Sequence, residues 1–287
     1  MMVTPPNSTR ISKRFAELRA SGELGIVAYI VAGDPSLEAS LKYVLALAEG
    51  GADFIELGVP FSDPLADGPT IQRASERALK SGTTLAGVID LVRRIRKSTP
   101  PASEVPLVLF SYYNPILQMG LEKFASSAAA AGADGVLATD LTPEESDDYR
   151  RILAAQHLDT IFLGAPTSTD DRLAKIAACS SGFLYLISRT GVTGAKDALP
   201  DDLPALVRRS RAVTDLPIAV GFGISLPGHV SVLGGLADAA VIGSALVSEI
   251  ESATKSAASD ALTALGNRVQ ALKEAARHGL SRREVAP

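Results

Sequence analysis

The feature that most constrains the fold is a repeat of short aliphatic runs separated by longer segments with helical spacing. A buried parallel strand is a short apolar run, and a crossover helix must follow it before the next parallel strand. The pattern therefore predicts repeated βα units. Eight such runs are present, at 26–31, 52–57, 106–110, 134–138, 159–164, 183–188, 217–223 and 237–243.

Eight is the number of strands that closes a TIM barrel, and we predict this α/β architecture, (β/α)8. Three strands begin after similar junctions, Gly-Ala-Asp at 51–53 and 132–134 and Leu-Ala-Asp at 236–238. Glycine caps a preceding helix and aspartate is a common turn residue, so the recurrence supports repeated units. An open doubly wound sheet can contain the same junctions and is the alternative. The strand count separates the two.

An extra N-terminal helix and additional helices frame this repeat. Residues 8–20 predict a helix capped by Thr9 or Ser8. Its apolar face would carry Phe15 and Leu18 and would cover the bottom of the barrel.

The chain is predicted to be one TIM-barrel domain over residues 1–287, with a core from about 10 to 275 and a frayed tail. The segment 244–277 is Ala-rich and helical, with a break or a cap expected near 259–260. A 46% hydrophobic fraction supplies a sizeable core. That core should be aliphatic, because aromatic residues make up 5% of the chain and Trp is absent.

The charge and the cysteine content limit the partners and the compartment. A net charge of -4 gives no basic surface for nucleic acid or for an anionic membrane. No apolar run reaches the roughly 18 residues of a membrane span, and the N-terminus lacks the apolar core of a secretory signal. Cys179 has no second cysteine to pair with. These features predict a cytoplasmic protein.

The segment ELGVPFSDPLADGP at 56–69 places two carboxylates, Glu56 and Asp67, at opposite ends of a turn-rich loop. The preceding run ADFIEL predicts a strand that ends at Glu56 and delivers this side chain to a rim. Two acids in different environments can serve as proton donor and acceptor. The alternative is a solvated turn with incidental acids.

Three late loops are suited to bind an anion. They are SRTGVTG at 188–194, GFGIS at 221–225 and Gly243-Ser244 at the start of a helix. Glycine lets the main chain approach a phosphate, and a helix N-terminus adds partial positive charge. TIM barrels often bind phosphate at their last loops, so we predict a phosphate site there.

The other strand ends supply aromatic and aliphatic side chains for an apolar slot, although barrel packing explains each of them equally well. They are Tyr29, Phe110, Tyr112, Leu137, Tyr185 and Phe222. The three histidines are scattered, no nucleophile elbow is present, and no predicted strand carries a lysine. The chemistry is therefore predicted to use carboxylates, with no metal.

In its short sequence motifs the chain resembles the tryptophan synthase alpha-subunit family over roughly residues 10–275. The motifs that carry the resemblance are ELGVPFSDPLADGP, AGDP at 32–35, IQRASERAL at 71–79, YYNP at 112–115, APTST at 165–169, SRTGVTG, GFGIS and GSALV at 243–247. The resemblance implies a (β/α)8 barrel that cleaves indole-3-glycerol phosphate to indole and glyceraldehyde 3-phosphate without a cofactor of its own.

The resemblance also implies roles for individual residues. Glu56 matches the general acid/base, and Asp67 matches the carboxylate that holds the indole N–H. The matches to the phosphate site are Gly194, Gly223, Gly243 and Ser244. The matches to the substrate wall are Tyr29, Ile71, Tyr112, Leu137, Tyr185 and Phe222.

Further matches concern closure and partners. Thr193 matches the residue that meets Asp67 when the loops close, Asp140 is expected to support the catalytic loop, and Asp63 and Asn114 of YYNP are expected to face a beta subunit. The resemblance implies an α2β2 complex in which pyridoxal phosphate belongs to the beta subunit. The chain departs from the family at Ala28-Tyr29, where Pro-Phe is frequent, and at Thr142, where Pro is common.

Three rival hypotheses stay open at this stage. The first is a stand-alone lyase that releases free indole, and the second is a non-catalytic barrel that serves as a scaffold. The third is another phosphate-binding barrel, such as a sugar-phosphate isomerase.

Overall fold

The computed structural model describes residues 9–188, 199–221, 223–253 and 258–278. Its strands are β1 (Gly25–Val31), β2 (Phe54–Gly58), β3 (Leu107–Ser111), β4 (Gly135–Ala138), β5 (Asp159–Gly164), β6 (Leu184–Ile187), β7 (Ile218–Gly221) and β8 (Ala239–Ile242). They form a closed parallel barrel in chain order, and β1 pairs with both β2 and β8. The predicted TIM barrel is confirmed, and the open doubly wound alternative is wrong because the first and last strands pair.

Helices connect the strands, and several connections carry more than one. The helices are α1 (Arg10–Ser21), α2 (Leu37–Glu49), α3 (Pro69–Lys80), α4 (Leu85–Arg96), α5 (Tyr113–Met119), α6 (Leu121–Ala131), α7 (Asp147–Ala155), α8 (Asp170–Cys179), α9 (Leu203–Arg211), α10 (Pro227–Leu233), α11 (Ser244–Ala253) and α12 (Ala258–His278). In the described ranges, none is long and apolar enough to cross a membrane.

The N-terminal helix α1 begins and packs as predicted. Thr9 caps it, since its hydroxyl accepts a hydrogen bond from the N–H of Ser12. Ile11, Phe15 and Leu18 are buried. The ring of Phe15 stacks on Phe54 at 4.4 Å between centroids. This helix therefore closes the N-terminal end of the barrel and leaves the other end for function.

The recurrent aspartates before strands have a common structural role. The Asp53, Asp134 and Asp238 carboxylates accept hydrogen bonds from the N–H of the first or second residue of the preceding strand, at 2.7, 2.8 and 2.7 Å. Each also forms an ion pair with a basic side chain from a helix. The carboxylates of Asp53 and Asp134 are buried and that of Asp238 is partly buried, so each needs such partners. The repeated junction thus fixes where a new strand joins its neighbour.

One predicted boundary was wrong, and a second lies close to its expected position. Strand β2 does not end at Glu56, because its pairing with β1 and β3 continues to Gly58. Glu56 therefore lies inside the barrel rather than on a rim. The helical stretch is divided into α11, which ends at Ala253, and α12, which begins at Ala258, close to the break or cap expected near 259–260.

Candidate active site

Glu56 is a titratable side chain inside the barrel. It is 0% exposed, and neither of its carboxylate oxygens has a hydrogen-bond partner among the described residues. Alternation along β2 places it on the inward face between Phe54 and Gly58. Burial raises the pKa of Glu56 from 4.5 to about 8. At neutral pH the side chain is therefore a buried carboxylic acid with a proton to give.

Asp67 lies at the far end of the same loop and is held by Tyr112. The Tyr112 hydroxyl donates to Oδ2 of Asp67 at 3.2 Å and accepts from the N–H of Ala66 at 2.9 Å. Burial raises the pKa of Asp67 to about 6, and the hydrogen bond from Tyr112 opposes that rise. At neutral pH Asp67 is therefore mainly ionised.

Replacing Tyr112 by Phe should raise the pKa of Asp67 further, because the hydrogen bond that favours its ionised form is removed. If ionised Asp67 is needed for catalysis, the acid limb of the pH profile of kcat/KM moves to higher pH. We expect the variant to lose several-fold more of its kcat/KM at pH 6 than at pH 8. The control is Tyr149→Phe, which removes a buried hydroxyl that donates to Val136. Equal losses at the two pH values would contradict the assignment.

A second polar side chain that holds the loop was not identified from the sequence. Gln72, in the first turn of α3, donates from Nε2 to the carbonyl oxygen of Asp67 at 2.8 Å. No capping pattern in the sequence marks this contact, because a capping box has its Glu or Gln at the third helical position, which is Ile71 here. The loop is therefore held from both α3 and the end of β3.

The predicted wall residues fall into two groups. Tyr29 and Ile71 are buried together, with Phe110 packed against them. The rings of Tyr29 and Phe110 meet edge to face at 5.2 Å. Leu137 and Tyr185 belong to a separate buried cluster of the barrel interior. Burial raises the pKa of the Tyr29 hydroxyl, and the charges of Asp67 and Glu56 raise it further, so both acids act on the same space.

Two tyrosines reach their positions because glycines leave room on the next strand. A Cβ added at Gly58 would lie 2.3 Å from the Tyr29 hydroxyl oxygen, and one at Gly221 would lie 2.3 Å from that of Tyr185. Both distances are far below any van der Waals contact. The two glycines were visible in the sequence, but only the barrel register shows which side chain needs each of them.

The described part of the predicted phosphate site lies after β7 and β8, which are neighbours. Gly223 has φ of 90°, a left-handed conformation that favours glycine. Ser244 begins α11, whose first N–H groups have no acceptor within the helix. Gly243 faces the Tyr29 ring, since a Cβ added at Gly243 would lie 3.6 Å from that ring. Thr193, Gly194 and Phe222 lie outside the described residues.

Asp140, Asp63 and Asn114, the predicted supporting and partner-facing residues, lie in or near the loop 56–69 that carries Glu56 and Asp67. Asp140 accepts a hydrogen bond from the N–H of Tyr113 at 2.7 Å and so fixes the start of α5, next to Tyr112. Asp63 and Asn114 are exposed. Thr142, the departure from the family, is exposed and donates to Glu145 at 3.3 Å. Within the described ranges, no group of three or more His, Cys, Asp or Glu side chains is arranged to hold a metal ion.

A family model described as tryptophan synthase alpha chain matches residues 15–277. The chain belongs to the tryptophan synthase alpha chain family. The tryptophan synthase alpha chain of Solibacter usitatus is 52% identical over 250 residues, which are 87% of this chain and 92% of that protein. That of Citrifermentans bemidjiense is 49% identical and covers 93% and 97%. The family resemblance seen in the motifs is confirmed.

Solved structures of the tryptophan synthase alpha chain family have the same fold. A structure of Mycobacterium tuberculosis tryptophan synthase aligns with a TM-score of 0.85 at 36% identity, over 94% of this chain and 99% of that one. The tryptophan synthase subunit alpha of Legionella pneumophila aligns with a TM-score of 0.84 at 37% identity, with the same coverage.

Proposed function

We propose that this chain, as a tryptophan synthase alpha subunit, cleaves indole-3-glycerol phosphate at the site formed by Glu56 and Asp67. The reaction is a retro-aldol cleavage, which makes the chain a carbon-carbon lyase. Glu56 moves the protons and Asp67 holds the indole N–H. The closed barrel, the two acids and membership of the family all support this function.

The reaction begins when the Glu56 carboxyl group gives its proton to C3 of the indole ring. The ring becomes a cation with its charge centred on nitrogen, and ionised Asp67 stabilises the N–H there. The Glu56 carboxylate then takes the proton of the hydroxyl on the adjacent side-chain carbon. The bond between that carbon and C3 breaks, and its electron pair restores the neutral indole. The aldehyde leaves as glyceraldehyde 3-phosphate, and Glu56 is protonated again.

The order of the two pKa values is the observation that carries this proposal. Glu56 has a pKa of about 8 and Asp67 one of about 6. Between these values the first acid is protonated and the second is ionised, as the first step requires. Environments that push two carboxylates apart in this way assign acid and base roles.

The remaining residues would bind and position the substrate. Gly223, Gly243 and Ser244 would hold the phosphate through backbone N–H groups, and the family resemblance adds Gly194 to this set. The aromatic wall would enclose the indole. This arrangement needs no cofactor on this chain.

We further propose that the chain works in an α2β2 complex with a tryptophan synthase beta subunit. The exposed Asp63 and Asn114, next to the catalytic loop, would face that subunit. A beta partner that carries pyridoxal phosphate would then consume the indole.

The test is a steady-state assay of indole-3-glycerol phosphate cleavage by the isolated chain, with and without an added beta subunit. We expect slow release of indole by the chain alone and an increase of at least about tenfold when the beta subunit binds. Fast turnover without a partner would instead support a stand-alone lyase. No cleavage under either condition would contradict the proposed function itself.

A further inference from the structure

Two side chains from outside the loop after β7 hold both backbone polar groups of Ser225. His229 of α10 is buried, and its Nδ1 accepts a hydrogen bond from the N–H of Ser225 at 3.3 Å. Arg268 of α12 donates from Nη2 to the Ser225 carbonyl oxygen at 3.3 Å. The backbone of Ser225, two residues after Gly223, is therefore held by side chains of α10 and α12.

Arg268 also contacts the helix that follows β8. Its Nε lies 3.1 Å from Oε1 of Glu249 on α11, and both side chains are about two-thirds buried. One guanidinium thus joins the loop that contains Gly223 to the helix that begins at Ser244. A hydrogen bond from Ser231 of α10 to the carbonyl oxygen of Ala275 at 3.3 Å adds a second link between α10 and α12.

This connection matters because the proposed phosphate site consists of backbone N–H groups on two separate elements. Such groups bind an anion well only if they are held in place before the ligand arrives. The loop after β7 and the N-terminus of α11 each supply part of the site. Their spacing therefore determines whether both parts can reach one phosphate.

We propose that His229 and Arg268 are positioning residues that set the distance between the two halves of the phosphate site. They act through the Ser225 backbone and through Glu249, without touching the substrate. The proposal rests on the proposed function, because it takes the anion at Gly223, Gly243 and Ser244 to be the substrate phosphate. It also gives α12 a role in substrate affinity.

Replacing Arg268 by Ala should weaken the binding of phosphate-bearing ligands and leave the indole site intact. We expect the KM for indole-3-glycerol phosphate, with the beta subunit present, to rise about tenfold while kcat changes less than about twofold, since a charge-assisted hydrogen bond and an ion pair are lost. Calorimetry should give a similar rise in the Kd of glyceraldehyde 3-phosphate. The Kd of indole should stay unchanged.

His229 provides a second and independent test. His229→Ala should raise the Kd of glyceraldehyde 3-phosphate several-fold, because the N–H of Ser225 loses its acceptor. His229→Asn should restore most of the affinity, since the Asn Oδ1 stands close to the place of the imidazole Nδ1. A purely structural role predicts no such rescue. The matched control for Arg268→Ala is Arg277→Ala, which removes another arginine of α12. The side chain of Arg277 lies 3.6 Å from Glu23.

The outcomes separate this proposal from the proposed function. If the unaltered chain binds no glyceraldehyde 3-phosphate, the phosphate site is wrong and the proposed function fails with it. If the unaltered chain binds it and the Arg268 and His229 variants bind it equally well, only the positioning role is wrong. An equal loss of indole affinity would also overturn the proposal. If Arg268→Ala does not fold, Arg268→Lys serves, with an intermediate rise in Kd expected.

Discussion

Glu56→Gln should lower kcat for indole-3-glycerol phosphate cleavage by about a thousandfold or more while the protein stays folded. Glutamine has nearly the same shape, but its amide cannot donate a proton to the ring carbon or take one from the hydroxyl. General acid/base catalysis contributes about 10²–10⁴-fold, and in the proposed reaction one carboxyl group serves both steps. The loss should appear in kcat, because no binding contact of the substrate is removed.

Single-turnover measurements of indole release, with the beta subunit present, provide the check. The Kd of indole propanol phosphate, which keeps both ends of the substrate, should change less than about threefold. The matched control is Glu122→Gln on the exposed face of α6, which should have normal activity. A Glu56→Gln variant that keeps more than a tenth of the normal kcat would exclude Glu56 as the proton donor. A non-catalytic scaffold would show no change at all.

The same substitution should make the protein relatively more stable as the pH rises. Below pH 4.5, Glu56 is protonated in both the folded and the unfolded chain, so its pKa shift has no effect on stability. Between 4.5 and about 8 the unfolded chain loses this proton while the folded chain keeps it. The free energy of unfolding therefore falls with rising pH by up to about 1.4 kcal/mol per unit, and the loss is constant above pH 8.

Glutamine does not titrate, so the Glu56→Gln variant escapes this loss. The difference in the free energy of unfolding between variant and unaltered chain should shift in favour of the variant between pH 5 and pH 9. We expect a shift on the order of 3 kcal/mol, less than the full linkage value because a buried carboxylate gains some solvation when it ionises. Urea unfolding of both proteins at the two pH values measures it, and the contributions of other groups cancel in the difference.

Glu122→Gln is again the control for the substitution itself, since this side chain is exposed on α6. A flat difference for Glu56→Gln would mean that Glu56 ionises normally inside the barrel. The activity and stability results together test whether one buried acid both lowers stability and provides catalysis, a trade-off typical of active sites.

The barrel fold and the positions of the candidate acids and of one helix cap could be determined from the sequence pattern alone. The eight aliphatic runs with helical segments between them specified the barrel, because a parallel strand buried on both faces must be apolar and needs a crossover helix. The loop with Glu56 and Asp67 and the glycines of the late loops were also visible in the sequence, although each pattern by itself fits an ordinary turn as well. Thr9 was recognisable as a cap because capping is a local property.

Only the tertiary structure decided how these groups behave. Glu56 lies in the barrel because β2 continues to Gly58, and its raised pKa follows from burial, with no hydrogen-bond partner in the part of the chain that the structure describes. The contact of Tyr112 with Asp67 joins residues 45 positions apart, and that of Arg268 with Ser225 joins residues 43 apart. Burial, pKa and long-range contacts depend on which segments closure of the barrel brings together. A local pattern carries no information about that, and the physics of the site therefore belongs to the fold.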